Sequence, residues 1–195
     1  MKKLILIILL LIPLIVSAQR FKGGLVLGLN VSQIDGDKFA GYNKAGLVGG
    51  AFVYTEFNEK WSALMEIRYA AKGSATPKYY SFTTKYLLQY IEIPLLAQYE
   101  PVNKLKLQFG ISIGYLFNAS QNDGNGYEKF NEIPSRGEVA VCAGINYSLT
   151  NHLDVNARFS YSALPVFSNY TGSTWGTSAW YNNVLTFALY YRIGQ

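Results

Sequence analysis

The sequence predicts an all-β chain, an eight-stranded antiparallel up-and-down transmembrane β-barrel that follows a cleaved signal peptide. Three observations lead to this prediction. Eight segments alternate apolar and polar side chains with the period of two that a strand with unlike faces requires. The connections between these segments are alternately short and long. The chain also begins with a short basic stretch and an apolar run, which is the pattern of a secretory leader.

The predicted signal peptide covers residues 1–18. Two lysines precede an unbroken apolar run from Leu4 to Val16, and small residues then lead to a predicted cut after Ala18. This run is too short for a helix that crosses the ~30 Å hydrocarbon core of a bilayer. The remaining residues, 19–195, have a length that suits one outer-membrane β-barrel domain.

The first three segments show the alternation with different clarity. In the first, Leu25, Leu27, Leu29 and Val31 face one way, and the opposite face carries Gly24, Gly28, Asn30 and Ser32. The second is rich in Gly and carries apolar residues on both faces, so its orientation is ambiguous. The third begins at Trp61 and places its charged residues on one face and its apolar residues on the other.

The later segments are longer and more regular. The fourth spans about 14 residues, whereas a globular strand usually has ~5–6 and a tilted strand needs ~9–11 to cross a bilayer. In the fifth, Phe109, Ile111 and Ile113 alternate with Gly110 and Ser112, and the last three segments follow the same rule. The eight predicted strands are residues 21–32, 44–57, 61–72, 86–99, 104–118, 136–149, 152–163 and 182–193.

The connections indicate how such a barrel would be oriented. Residues 58–60, 101–103 and 150–151 form tight turns, and longer links alternate with them. Outer-membrane barrels have short periplasmic turns and longer external loops. An even number of strands also places both chain ends on the periplasmic side, so the sequence predicts the outer membrane as the location.

The two faces of the segments predict which side meets lipid. One face is almost free of charge in mid-strand, as a lipid-facing band requires, whereas a soluble barrel would turn its apolar face inward. The other face carries a candidate lumen cluster, in which we expect Glu92 to lie within reach of Arg68 or Arg158 and the charges to block the lumen. A proton or ion path is the alternative. The cluster consists of Glu66, Arg68, Glu92, Asp154 and Arg158.

Aromatic residues in the long connections are candidates for contact with a partner. Exposed aromatic side chains often anchor protein interfaces, but they also favour the membrane–water interface, and the sequence supports both interpretations equally. The candidates are Tyr79, Tyr80, Tyr127, Tyr170, Trp175 and Trp180.

The sequence predicts no catalytic, metal or cofactor site. His152 is the single histidine and falls in a tight turn at the predicted periplasmic end, away from the loops that would meet a substrate. The Asp35–Asp37 stretch lacks the further ligands of a calcium loop. Without the two lysines of the predicted leader, the net charge falls from +5 to about +3, which is too small to indicate nucleic acid. The lipid-facing face of the strands predicts outer-membrane lipid as one partner, and the aromatic residues of the external loops make an envelope protein a candidate second partner.

Several short motifs add a family resemblance. The chain resembles the PorT-like outer-membrane β-barrel proteins of Bacteroidetes over most of its predicted mature length. That resemblance implies an outer-membrane barrel. One founding member is implicated in the type IX secretion pathway, but the barrel motifs are shared by many paralogues. The motifs are Gly28-x-Asn30, Ile34-Asp35-Gly36-Asp37 with Gly41-Tyr42, Lys72-Gly73 and Tyr90-x-Glu92-Ile93-Pro94.

Three functions follow as hypotheses. The first is a non-enzymatic barrel that acts as a scaffold or binds through its loops in the cell envelope, with secretion as one candidate process. The second is a small porin-like channel. The third is an outer-membrane enzyme, which the lack of a His-based or Ser-based constellation near the loops disfavours. An eight-stranded barrel is just wide enough for side chains to fill, so the first hypothesis is preferred.

Overall fold

The computed structural model describes residues 21–37, 39–77, 80–129, 135–168 and 179–193. Within these residues, eight long strands form a closed antiparallel barrel, and two short strands lie in the connections. The strands are β1 (Lys22–Asp35), β2 (Lys44–Glu56), β3 (Trp61–Ala75), β4 (Lys85–Val102), β5 (Leu105–Asn122), β6 (Tyr127–Lys129), β7 (Gly137–Ser148), β8 (Leu153–Ser162), β9 (Phe167–Ser168) and β10 (Ala179–Ile193).

The barrel closes between its first and last strands. Every long strand pairs with its sequence neighbour, and β1 also pairs with β10 from Gly23 opposite Ile193 to Asp35 opposite Tyr181. This confirms the predicted antiparallel up-and-down barrel. No helix in the described part of the chain has the length and apolar character that a membrane-spanning helix requires.

The two ends of the barrel differ in the length of their connections. The turn end carries the short turns after β2, β4 and β7, together with Lys22 and Ile193. The loop end carries the longer connections after β1, β3, β5 and β8. Several strands run further into the loop end than predicted, since β3 ends at Ala75 and β5 at Asn122. The pairing register between β4 and β5 shifts at Gln89/Tyr90, and the two strands remain paired on both sides of this shift.

Alternation along each strand separates the lumen from the outer wall. In β5, Phe109, Ile111 and Ile113 are exposed on the outside, whereas Gln108 and Ser112 are buried in the lumen. The sequence left the orientation of β2 ambiguous. In the structure β2 follows the same rule, because the rings of Phe52 and Tyr54 are buried in the lumen. The outer wall is therefore apolar and the lumen largely polar, which is the arrangement of a barrel whose solvent is lipid.

Candidate functional site

A chain of charged side chains fills the middle of the lumen. Its members come from β3, β4, β7 and β8, and none is more than 3 % exposed. Three are acidic and three are basic, so their formal charges cancel. They are Glu66, Arg68, Lys72, Glu92, Glu138 and Arg158.

The first half of this charge chain joins two arginines to two glutamates. Arg158 Nη2 lies 2.7 Å from Glu66 Oε1, on the far side of the lumen. Arg68 Nη1 lies 3.3 Å from Glu66 Oε2, and Arg68 Nη2 lies 2.9 Å from Glu92 Oε2. Glu66 is thus held between two guanidinium groups, and charge-assisted bonds of this kind are the strongest hydrogen bonds in proteins.

The second half continues from Glu92 toward the loop end. Lys72 Nζ contacts Glu92 and lies 2.8 Å from Glu138 Oε2. The other oxygen of Glu138 accepts hydrogen bonds from Ser162 Oγ at 2.6 Å and from Asn182 Nδ2 at 3.0 Å. Each buried carboxylate therefore has a cation and further donors around it, which offsets the loss of its hydration.

Strand register explains why these side chains meet. Pairing of β3 with β4 places Arg68 directly opposite Glu92. Lumen-facing glycines lie beside the large charged side chains, with Gly50 opposite Arg68 and Gly144 opposite Arg158. A Cβ at either glycine would lie within 3.2 Å of the Cα and Cβ of the arginine opposite, so the missing side chains allow the neighbouring strand to approach closely at these two positions.

Polar and apolar side chains fill the lumen around the charges. Tyr190 donates a hydrogen bond of 2.7 Å to Glu66 and accepts one of 2.9 Å from Arg158. Phe52 and Leu96 belong to an apolar layer on the turn side, and Leu88 belongs to another on the loop side. Two cavities near these layers measure about 20 and 10 Å³, which is room for about one water each.

The structure brings together four of the five residues predicted for the lumen cluster. Glu66, Arg68, Glu92 and Arg158 lie in the charge chain, with Glu92 bound to Arg68 and not to Arg158. Asp154 does not join them. It lies nearer the turn end, where it pairs with Arg192 and accepts a hydrogen bond of 3.0 Å from Asn146.

Lys72 and Glu138 belong to the charge chain although the sequence did not place them in the cluster. Both residues fall on the polar face of their strands, so alternation alone shows that they face inward. Both lie toward the loop end of their strands, where β3 and β7 continue the barrel wall. Their contact joins residues 66 positions apart, and sequence spacing contains no information about such a pair.

An aromatic cluster covers the loop end of the lumen. Phe39, from the connection after β1, has its ring centroid 6.3 Å from Tyr80 and from Phe82, and 6.4 Å from Tyr86. The contacts continue from Tyr86 to Trp180 at 5.3 Å. Trp180 also meets the ring of Phe167, at 5.0 Å. Tyr80 and Phe82 remain 38 % and 51 % exposed, so the outer part of the cluster is accessible.

The predicted contact residues of the loops occupy different places. Tyr80 belongs to the aromatic cluster, and Tyr127 is exposed on the short strand β6. Trp180 packs inward against the apolar layer at the loop end, so it is part of the cover and not an outward anchor. Tyr79, Tyr170 and Trp175 lie outside the described residues.

No group of metal-ligating side chains stands out in the described residues. These residues contain no set of three His, Cys, Asp or Glu side chains suited to a metal ion. His152 lies in the turn between β7 and β8, where its Nδ1 is 3.3 Å from the carbonyl oxygen of Arg192. This histidine is therefore at the turn end, opposite the long connections.

Comparison with solved structures shows the same fold in outer-membrane proteins. The attachment invasion locus protein Ail of Yersinia pestis superposes with a TM-score of 0.53 at 13% identity, over 88% of this chain and 98% of that chain. Ail solved with the heparin analogue sucrose octasulfate gives 0.52 at 14% identity, over 89% and 99%. The Neisserial surface protein A, NspA, gives 0.55 at 13% identity, over 89% and 97%.

Comparison of sequences gives the family. No protein of curated function matches this chain. Residues 17–168 match the family model described as the outer membrane protein beta-barrel domain, and this match covers most of the described barrel. The protein is thus located in the outer membrane, with its apolar wall in contact with lipid, and it belongs to the outer membrane protein beta-barrel domain family.

Proposed function

We propose that this protein is a non-enzymatic scaffold of the cell envelope that binds an envelope protein through the loop end of its barrel. The observation that carries the proposal is the combination of a filled lumen with an accessible aromatic cluster. The members of the charge chain pair with one another within the lumen, and the exposed rings of Tyr80 and Phe82 lie on the external side, where outer-membrane barrels carry their long loops. Aromatic side chains of this kind are frequent anchors of protein interfaces.

The experiment is site-specific photo-crosslinking in intact cells. A photoreactive amino acid replaces Phe82 in one variant and Phe57, an exposed ring near the turn end, in the other. We expect a discrete protein adduct from position 82, identified by mass spectrometry, and a different pattern from position 57. The proposal fails if position 82 gives only lipid adducts. It also fails if a photoreactive amino acid at position 80 gives the same protein adducts with and without the Phe82→Ser substitution.

A channel is the second candidate function, and the filled lumen argues against it. The charge chain crosses the middle of the lumen, and the two cavities beside the apolar layers measure about 20 and 10 Å³, which is room for about one water each. We expect the wild-type protein to conduct little in planar bilayers. A steady, large conductance would favour the channel over the scaffold.

We further propose a PorT-like assignment within the family and a cleaved leader. The assignment is supported by the Gly28-x-Asn30 and Tyr90-x-Glu92-Ile93-Pro94 motifs, and secretion remains one candidate process. The leader, residues 1–18, lies outside the described residues. Intact-mass measurement of the protein from outer membranes tests it, with a mature chain of residues 19–195 as the expected product.

A further inference from the structure

A polar and aromatic patch lies on the outer wall of the barrel at its loop end. Its side chains come from β1, β8, β10 and the connection after β1. All of them are described by the structure, and they contact one another. We call this group the Asp35 patch, and it consists of Gln33, Asp35, Tyr42, Tyr161, Tyr181 and Asn183.

Hydrogen bonds organise the Asp35 patch around its single carboxylate. Asp35 Oδ1 accepts a hydrogen bond of 2.7 Å from Gln33 Nε2, and Oδ2 accepts one of 3.2 Å from Asn183 Nδ2. Tyr42 donates its hydroxyl to Asn183 Oδ1 at 2.5 Å. No Lys or Arg of the described residues forms an ion pair with Asp35. The patch is therefore ordered and carries a net negative charge.

Two tyrosine rings form the other part of the Asp35 patch. Strand pairing places Tyr181 opposite Asp35 and Asn183 opposite Tyr161. The rings of Tyr161 and Tyr181 stack with centroids 6.0 Å apart and planes inclined by 12°. Both tyrosines are partly exposed, so the stacked pair offers an aromatic surface beside the hydrogen-bonding groups.

The position of the Asp35 patch restricts what can bind to it. Gln33 and Asp35 continue the face of β1 that carries Leu25, Leu27 and Leu29 toward lipid. The patch is therefore continuous with the lipid-facing wall and lies at its external edge. This position suits contact with the headgroup of a lipid in the external leaflet.

A second site on the wall repeats the amide and tyrosine hydrogen bonds, whereas aromatic packing is found among the described residues of the wall at the turn end. Gln89 donates to the Tyr69 hydroxyl at 2.6 Å and accepts a hydrogen bond from Asn118 at 2.7 Å, on the outer face of β3, β4 and β5. At the turn end, Trp61 packs against Tyr99 and Phe109 with ring centroids 4.8 and 6.1 Å away. The external edge of the wall is thus marked by hydrogen bonds between amide and tyrosine side chains, whereas the periplasmic edge is marked by aromatic packing.

We propose that the Asp35 patch binds the saccharide headgroup of a glycolipid in the external leaflet. Amide, carboxylate and phenol groups match the hydroxyls of a sugar as donors and acceptors. The negative faces of stacked tyrosines attract the C–H edges of a pyranose ring. A phosphate headgroup is a poor alternative, because Asp35 would repel it and the described residues of the patch provide no cation.

The test compares a neutral glycolipid with an anionic phospholipid. The mature protein is folded in detergent micelles and mixed with equal amounts of monoglucosyl-diacylglycerol and phosphatidylglycerol, and retained lipid is counted by native mass spectrometry. We expect the wild type to retain the glycolipid preferentially. Asp35→Ala and Tyr181→Leu should each lose about fivefold of that retention, the effect of one net hydrogen bond or an equivalent contact.

The matched control is Tyr147→Leu, which removes an exposed outer-wall ring at the turn end. This variant should retain the glycolipid like the wild type. Folding of every variant is verified in gels, where the heated, unfolded protein migrates more slowly than the unheated protein. If Asp35→Ala does not fold, Tyr181→Leu alone tests the proposal. Equal retention of the two lipids, preference for phosphatidylglycerol, or an equal loss in Tyr147→Leu would each overturn the proposal.

Discussion

The lumen and the outer wall are built by alternate residues of the same strands, yet they follow opposite rules. In β4, Glu92 faces inward and binds Arg68 and Lys72, whereas its neighbours Ile91 and Ile93 face outward and are exposed. The side chains in the middle of the lumen are as buried as those of a protein core, although six of them carry formal charges. The lipid-facing wall carries aliphatic and aromatic side chains at the same height.

The difference shows that charge is tolerated in this barrel because of its partners and not because of hydration. Glu66 lies between Arg68 and Arg158, and Lys72 lies between Glu92 and Glu138. A buried ion without its partner is costly, whereas ion pairing with additional hydrogen bonds offsets part of the desolvation penalty. On the outer wall no such partners are available in the hydrocarbon layer.

The largest expected effect is the removal of one member of the charge chain. Arg158→Gln leaves Glu66 with one cation and the charge chain with a net charge of −1, which should cost ~3–5 kcal/mol for a fully buried pair. The measurement is denaturant unfolding in phospholipid vesicles. Adding Glu66→Gln restores neutrality, so the double variant should cost less than the sum of the two single variants. A cost of Arg158→Gln below ~1 kcal/mol, typical of exposed pairs, would mean that the lumen is well hydrated.

The next effect concerns a charge on the outer wall. Ile111→Arg places a cation at the lipid-facing midplane, which costs ~2–4 kcal/mol in barrels of this type. The control is Val102→Arg, an exposed position at the turn end of β4, where a cation near the interface costs ~0–1 kcal/mol. Folding yield into vesicles and the unfolding midpoint measure both. Equal costs would contradict the assignment of the outer wall to lipid.

A smaller effect compares two neighbouring glycines on opposite faces of β2. A Cβ at Gly50 would lie 2.1 Å from the carbonyl oxygen of Ile67 and 2.6 Å from the Cα of Arg68, so Gly50→Ala should cost ~1–3 kcal/mol through overpacking. At Gly49 the nearest atom is 3.4 Å away, on the flexible side chain of Leu27. Gly49→Ala should therefore fall within ~0.5 kcal/mol of the wild type. Thermal unfolding in vesicles of the two variants tests this difference, and a greater loss in Gly49→Ala would contradict it.

The smallest effect is expected at the exposed ion pair of the turn end. Lys22 and Glu56 are joined at 3.0 Å, with side chains 34 % and 46 % exposed. Such pairs contribute ~0–1 kcal/mol and are screened by salt. Lys22→Met should leave the unfolding midpoint almost unchanged at high salt. A loss as large as that of Arg158→Gln would show that burial does not decide the strength of ion pairs in this barrel.

The sequence by itself determined the eight strands, the two faces of every strand except the second, and the alternation of short and long connections. These properties depend on side chains two residues apart and on local turns, so they can be recognised without knowing which strands pair. Ile111 outside and Ser112 inside follow from alternation alone. The inward orientation of Glu66, Arg68, Glu92 and Arg158 follows in the same way.

Tertiary structure decided which inward side chains meet and which loop residues cover the lumen. Arg158 binds Glu66, 92 positions away, and not Glu92, and Asp154 pairs with Arg192 nearer the turn end. Trp180 turns toward the lumen instead of outward. The physical reason is that the height of a side chain along the barrel axis depends on the register of every strand pair and on barrel closure. The alternation of side chains depends only on the strand that carries them.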